Sequence, residues 1–318
     1  MAITRSNVLT NAAARQQYTQ GVTLLKTEFT GPTTTTLGIA GPSRPVSTYD
    51  LFVVWHHTAM STLTPATQGD RNAAHRGPVF CPWHRFMLYQ LELNLQRVLN
   101  DVTFGLPYWD WAADGQRSAA DQKRSGIWAA GALGGSGSPV KTGPFKYNAA
   151  DPNSFRVRIE ADVNGQLVQR NRGLRRTLGT QISTLPNTAD TGGTRGMIPY
   201  DTAPWDTSST GFRNRVEGWA PPAAPALHNR VHVWVGGDML PSSSPNDPVF
   251  YLNHCNVDRL WEAWLTQNGR TYAPLQTAPA FLRGHRINDQ MSSLISARMR
   301  PADVLDMRSI YVYDALDA

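Results

Sequence analysis

Eight histidines occur in this 318-residue chain, and six of them fall into two groups of three: His56, His75 and His84, then His228, His232 and His254. His228 and His232 stand four residues apart, the spacing that places two side chains on one helix face, where both imidazoles can reach one metal ion. His254 completes that group from the next apolar run. His56 and His84 belong to separate helical patterns, and His75 precedes His84 by nine residues in a segment able to fold back. Three neutral imidazoles without cysteine or carboxylate suit copper, zinc or iron, and imidazole alone does not choose among them. A single buried histidine is more often a hydrogen-bonded core residue than a ligand. The i,i+4 pair weakens that reading, and the residues around each histidine have to decide it.

Positioning such groups requires rigid elements, and the apolar periodicity supplies them. After a cap at Ser47 or Thr48, residues Tyr49, Leu51, Phe52, Val53 and Trp55 are apolar almost all round, which predicts a buried helix over about 48–60. Phe86, Leu88, Leu91, Leu95, Val98 and Leu99 recur near a 3.6 period and predict a helix over 82–100, with Pro82 tolerated in its first turn. A short helix over 225–235 ends at Gly236-Gly237, and a longer one over 248–267 carries Phe250, Leu252, Val257, Leu260, Trp261 and Trp264. Each of the four bears histidine. A further helix is read around Ala12 to Glu28. The stretches 31–42, 61–76 and 107–225 read as loops, with a β-like run at Phe155 to Ile159 and a last alternating run at Tyr311-Val312-Tyr313. The expected fold is mainly α: a single domain, 1–318, with a four-helix bundle core at about 48–267, long loops, a few short strands, and residues 268–318 as an extension packed on that core.

The residues flanking the histidines decide the chemistry. His75-Arg76-Gly77-Pro78-Val79-Phe80-Cys81-Pro82-Trp83-His84-Arg85, with Glu92 beyond, resembles the first copper signature of the tyrosinase family. Asp247-Pro248-Val249-Phe250-Tyr251-Leu252-Asn253-His254-Cys255-Asn256-Val257-Asp258-Arg259 resembles the second, and Leu227-His228-Asn229-Arg230-Val231-His232 is similar to the segment that supplies two further ligands. With Phe52 to His56 and Leu106-Pro107-Tyr108-Trp109-Asp110-Trp111, the resemblance runs from about residue 48 to 267. Three positions depart from the pattern: Cys81 stands in place of an aliphatic residue, Asn253 in place of a histidine, and Cys255 in place of alanine. None removes a ligand.

The resemblance to bacterial tyrosinases implies a type-3 pair of copper ions, one held by His56, His75 and His84 and the other by His228, His232 and His254, binding O2 as a bridging peroxide. His57 competes with His56 for the first position, and His56 is preferred because it directly follows Trp55. Glu217 and Asn229 match the family residues that hold a water able to take the proton of a monophenol. Phe250 is expected to pack on the second set of ligands, and Leu240 to fall near the substrate entrance. Asp258, four residues after His254, either orients a ligand or pairs with arginine, and the plainer alternative is a simple Asp258–Arg259 or cap interaction. Some eukaryotic members carry a Cys–His thioether, but the position it needs is Ala73, so Cys81 and Cys255 are read as two buried thiols. His285 lies outside every motif and is read as a surface residue.

The implied activity is oxidation of small phenols and o-diphenols to o-quinones with O2 as co-substrate. An o-aminophenol oxidase forming quinone imines or nitroso products is the alternative, and Asn253 and Cys255 hint at such a side branch. A haemocyanin-like O2 carrier is a remote third, because carrier subunits are longer and cover the site. A hydrolytic zinc site fits two all-histidine groups poorly, since it keeps a water and a base beside one metal. Copper has to reach a buried centre, and some bacterial relatives use a separate copper-delivery protein.

Composition excludes other classes. The net charge of +6 is spread along the chain, and only four of its 30 basic residues are lysine, so no basic block points to nucleic acid. No apolar run is long enough for a membrane span. The first residues show no secretory h-region, which makes a cytoplasmic location the default expectation, with export alongside a partner protein left open. Two cysteines cannot build a disulfide framework.

Overall fold

The apolar runs fold as their spacing dictates. The computed structural model describes residues 2–219 and 225–316. Among them are nine α-helices: α1 (Ala12–Thr27), α2 (Thr48–Ser61), α3 (Phe80–Leu99), α4 (Trp111–Gly115), α5 (Ala119–Gln122), α6 (Thr188–Arg195), α7 (Phe212–Glu217), α8 (Leu227–Val235) and α9 (Val249–Asn268). Four short strands accompany them: β1 (Ile3–Arg5), β2 (Val157–Ala161), β3 (Leu167–Arg172) and β4 (Tyr311–Tyr313). The architecture is mainly helical, as expected. None of the described helices is long and apolar enough to cross a membrane.

Ser47 starts α2: its hydroxyl oxygen accepts the Asp50 N–H at 3.1 Å and satisfies one of the free donors of the first turn. The Asp50 carboxylate also pairs with buried Lys26, which ties α2 to α1. α3 packs on α1 and α9, and α9 packs on α8. The seam between α2 and α3 is aromatic, with the Trp55 ring 5.6 Å from Trp83 and 5.2 Å from Phe86. Both indole N–H groups donate to the Ser292 carbonyl, at 3.1 and 2.9 Å, so a C-terminal loop is strapped over the seam.

Two features escaped the sequence reading. The run expected at Phe155–Ile159 is shifted to β2 and pairs antiparallel with β3. The β3 sequence Leu-Val-Gln-Arg-Asn-Arg has too little apolar alternation to announce a strand. β1 and β4, from opposite ends of the chain, pair in parallel with Ile3 opposite Tyr311. At their junction Arg5 is fully buried and salt-bridged to Glu92 of α3 at 2.9 Å and Asp258 of α9 at 3.1 Å.

Candidate metal centre

α2 supplies His56, α3 His84, α8 His228 and His232, and α9 His254, while His75 comes from the loop before α3. That loop is held by Asn72, whose side-chain oxygen accepts the N–H of Ala74 at 3.1 Å and of His75 at 2.7 Å. The result is two triads, in each of which the candidate ligand atoms all lie within 4.8 Å of one another. The triads abut, because His84 stacks on His254 with ring centres 4.1 Å apart. His232 is half-buried and the other five are buried.

Which nitrogen faces inward is set by what the other one does. Nδ1 of His56 meets the Ser242 carbonyl at 2.7 Å, that of His84 the Phe80 carbonyl at 2.8 Å, and that of His232 the Met239 carbonyl at 2.7 Å. A carbonyl only accepts, so each Nδ1 carries the proton and each Nε2 is left with its lone pair. Those three Nε2 atoms are buried without a hydrogen-bond partner among the described residues. His228 follows the same rule: its Nδ1 donates to the Glu217 carbonyl at 3.2 Å and the Asn229 side-chain oxygen at 3.0 Å. Its Nε2 faces that of His254 at 3.1 Å. Buried lone pairs aimed at one another have no reason to persist without a cation between them, and this donor set fits two copper ions. Burial also keeps the rings neutral. It pushes His56 down to about 3 and His232 to about 4, and the remaining four well below the usual imidazole range.

His57 stands apart from both triads. Its Nδ1 lies 2.8 Å from the Ser242 hydroxyl and its Nε2 3.4 Å from that of Ser61. The geometry therefore places His56, and not His57, with His75 and His84. Phe250 packs on His254 at 4.1 Å between ring centres and also reaches His56 at 4.9 Å, so it borders both triads.

A cleft of about 360 Å³ opens onto His56, His75, His228 and His232, with Asn229 and Leu240 in its wall. Leu240 is exposed at the rim. Glu217 is fully buried, and its carboxylate accepts the Arg76 N–H at 2.6 Å and an Arg213 guanidinium N–H at 3.2 Å. Burial raises its pKa, against the opposing pull of Arg213. Gly218 has φ +104°, and a β-carbon there would meet the Ala226 carbonyl at 2.1 Å. That close approach sets the end of α7 against the start of α8 and brings the Glu217 carbonyl to His228.

Two expectations need correction. His285 is not a surface residue: it is fully buried, with Nε2 3.0 Å from the Thr64 hydroxyl, and it packs under Gly77 in the loop that carries His75. The segment after α9 folds back over that loop, which no local signal around His285 announces. Asp258 does pair with arginine, but with Arg85 and Arg5 and not with the adjacent Arg259. It accepts from Arg85 at 2.5 Å, Tyr311 at 2.7 Å and Tyr313 at 2.6 Å, in addition to Arg5. Arg259, one position along the helix, points elsewhere and salt-bridges Asp110 at 3.0 Å. Cys81 and Cys255 are free and buried, and burial raises both thiols.

Comparison with known proteins agrees with this geometry. The family model for the common central domain of tyrosinase matches residues 46–267. A tyrosinase from Streptomyces glaucescens is 41% identical over 271 residues, covering 84% of this chain and 88% of that one. Grixazone synthase from Streptomyces griseus is 34% identical over 290 residues, covering 84% and 90%. A mutant form of a polyphenol oxidase from Thermothelomyces thermophila superposes with a TM-score of 0.69 at 22% identity, over 98% of this chain and 88% of that one, and shares the fold. With a matching central domain and both triads assembled as that family needs them, the chain belongs to the tyrosinase family of type-3 copper oxidoreductases.

Proposed function

We propose that this protein oxidises small phenols and o-diphenols to o-quinones with O2, at a dicopper centre held by His56, His75 and His84 on one side and His228, His232 and His254 on the other. The observation that carries the reading is the pair of abutting triads with inward lone pairs beside an open cleft. Copper, when bound, supplies the redox chemistry. The chain supplies the rest. Carbonyls of Ser242, Phe80, Met239 and Glu217 fix four imidazole orientations. Phe250 packs on the His254 and His56 rings, and Trp83 of the aromatic seam packs on His56 and His84, so aromatic rings back both triads.

A phenol gives up its proton only near pH 10, so a monophenol needs an acceptor at neutral pH. In this proposal the Asn229 amide, in the cleft wall, and the buried Glu217 carboxylate, two residues that also share His228 Nδ1, hold a water that takes the proton. Leu240 at the rim limits which rings enter. Asp258, joined to arginines and tyrosines, steadies α9 and hence His254. Copper delivery to so buried a centre is assigned to a separate partner protein.

The o-aminophenol reading draws on Asn253, which replaces the usual histidine beside His254 and whose buried amide has no partner among the described residues. Oxygen uptake by copper-loaded protein separates the two. Uptake is measured with 4-hydroxybenzoate, 3,4-dihydroxybenzoate and 3-amino-4-hydroxybenzoate, which share one carboxylate and differ in the reacting group. Turnover of the first two is the expected result. Turnover confined to the aminophenol overturns the proposal in favour of the second reading.

A further inference from the structure

Arg76 follows His75 directly and lines the same cleft, although consecutive residues of an extended chain face opposite sides. Its backbone is left-handed, at φ 61°, a region L-residues seldom occupy, and its N–H is held by Glu217 at 2.6 Å. The side chain is exposed, and its guanidinium lies over the Trp219 ring at 5.5 Å. Buried Arg71 donates to backbone carbonyls, whereas the buried arginines Arg5, Arg85, Arg176 and Arg213 meet carboxylates. Among the described residues Arg76 meets none, and no Asp, Glu or Lys lines the cleft. Residues 220–224, Ala-Pro-Pro-Ala-Ala, add no charge. Apart from the histidines, the rest of the described lining is apolar or neutral, so among the described residues one cation without a carboxylate partner borders a cleft of about 360 Å³, roomy enough for an aromatic ring.

We propose that Arg76 determines substrate specificity by receiving the carboxylate of a phenolic acid whose hydroxyl end faces the histidines, so that the protein prefers anionic phenols to their neutral counterparts. The inference rests on the phenol-oxidising reading above. A guanidinium binds a carboxylate through two parallel N–H donors, a geometry that lysine cannot copy. The Trp219 face and the left-handed backbone hold that fork in place before substrate arrives. The excess of arginine over the whole molecule draws anions toward the cleft.

The test pairs turnover with binding on copper-loaded protein. For Arg76→Gln, the ratio of kcat/KM for 4-hydroxybenzoate to that for its neutral methyl ester falls about ten-fold, as suits loss of one charge-assisted contact at a partly solvated site. The preference for benzoate over benzamide, read as a ratio of Kd values, falls in parallel. Arg76→Lys retains part of both, and added salt weakens both in the wild type. A merely structural role moves acid and neutral ligand together, and that result overturns the proposal. So does a wild type that does not favour the acids. If no phenol is oxidised yet the benzoate preference is lost in Arg76→Gln, the anion site stands and the phenol-oxidising reading falls. If phenols are oxidised without regard to charge, the reverse holds.

Discussion

His56 and His57 are neighbours on one helix with opposite surroundings: one keeps a buried, unpartnered Nε2, while the other spends both nitrogens near serine hydroxyls. His57→Ala should therefore keep the full copper content by metal analysis, and His56→Ala should lose one ion of two. Glu217→Gln and Asn229→Ala should leave copper in place but lower monophenol kcat/KM by about 100-fold, a typical contribution of proton transfer to a positioned group. Diphenol turnover should fall much less, and equal losses on both substrates would contradict the role. Acid should destabilise the metal-free protein. The six imidazoles have folded-state pKa values pushed down by burial, so below about pH 6.5 the unfolded chain takes up protons that the folded chain refuses. Stability is full above that pH and lost as it falls toward 4, by about 1.4 kcal/mol per pH unit for each proton of difference. A urea midpoint that stays constant from pH 7 to 5 would contradict this. At this scale the ligands were legible because i,i+4 spacing and long flanking motifs are local. His285 was not, since its burial comes from a distant loop.

Helices α2, α3, α8 and α9 were legible to within two or three residues, because apolar periodicity and caps such as Ser47 lie in the elements themselves. The joints between elements were not. Gly218 is such a joint, and Gly218→Ala should push α7 from α8, loosen the Glu217 carbonyl from His228, and lower copper affinity at the second triad more than at the first. Competition with a chelator would measure it, and equal affinity at both triads would contradict it. Asp258 is the other joint, with β1, α3 and β4 converging on it through Arg5, Arg85, Tyr311 and Tyr313. Burial raises its pKa, but the two guanidinium groups outweigh this and hold it below the usual carboxylate range. Asp258→Ala leaves two buried cations short of a partner and should cost about 3–5 kcal/mol in urea unfolding. A loss under about 1 kcal/mol would show that the convergence is not structural.

Across the whole molecule, hydrophobic burial is nearly continuous: one cluster runs from Val8 near the start to Tyr313 near the end. The chain ends meet as β1 and β4, and the loop around Ser292 closes over Trp55 and Trp83, so the histidine helices are clamped from outside as well as packed within. Such pairings span most of the sequence and leave no periodic trace, so residue spacing alone shows the tail only as an extension. The clamp matters because two imidazole triads must stay in register before any copper arrives. The most direct test of the account is the copper content of the intact chain by native mass spectrometry, with oxygen uptake on 3,4-dihydroxybenzoate followed in the same samples. Two copper ions per wild-type chain, one after His84→Ala or His254→Ala, and uptake abolished in both variants is the predicted result. A single ion in the wild type, or uptake that survives with one triad broken, would contradict a paired centre.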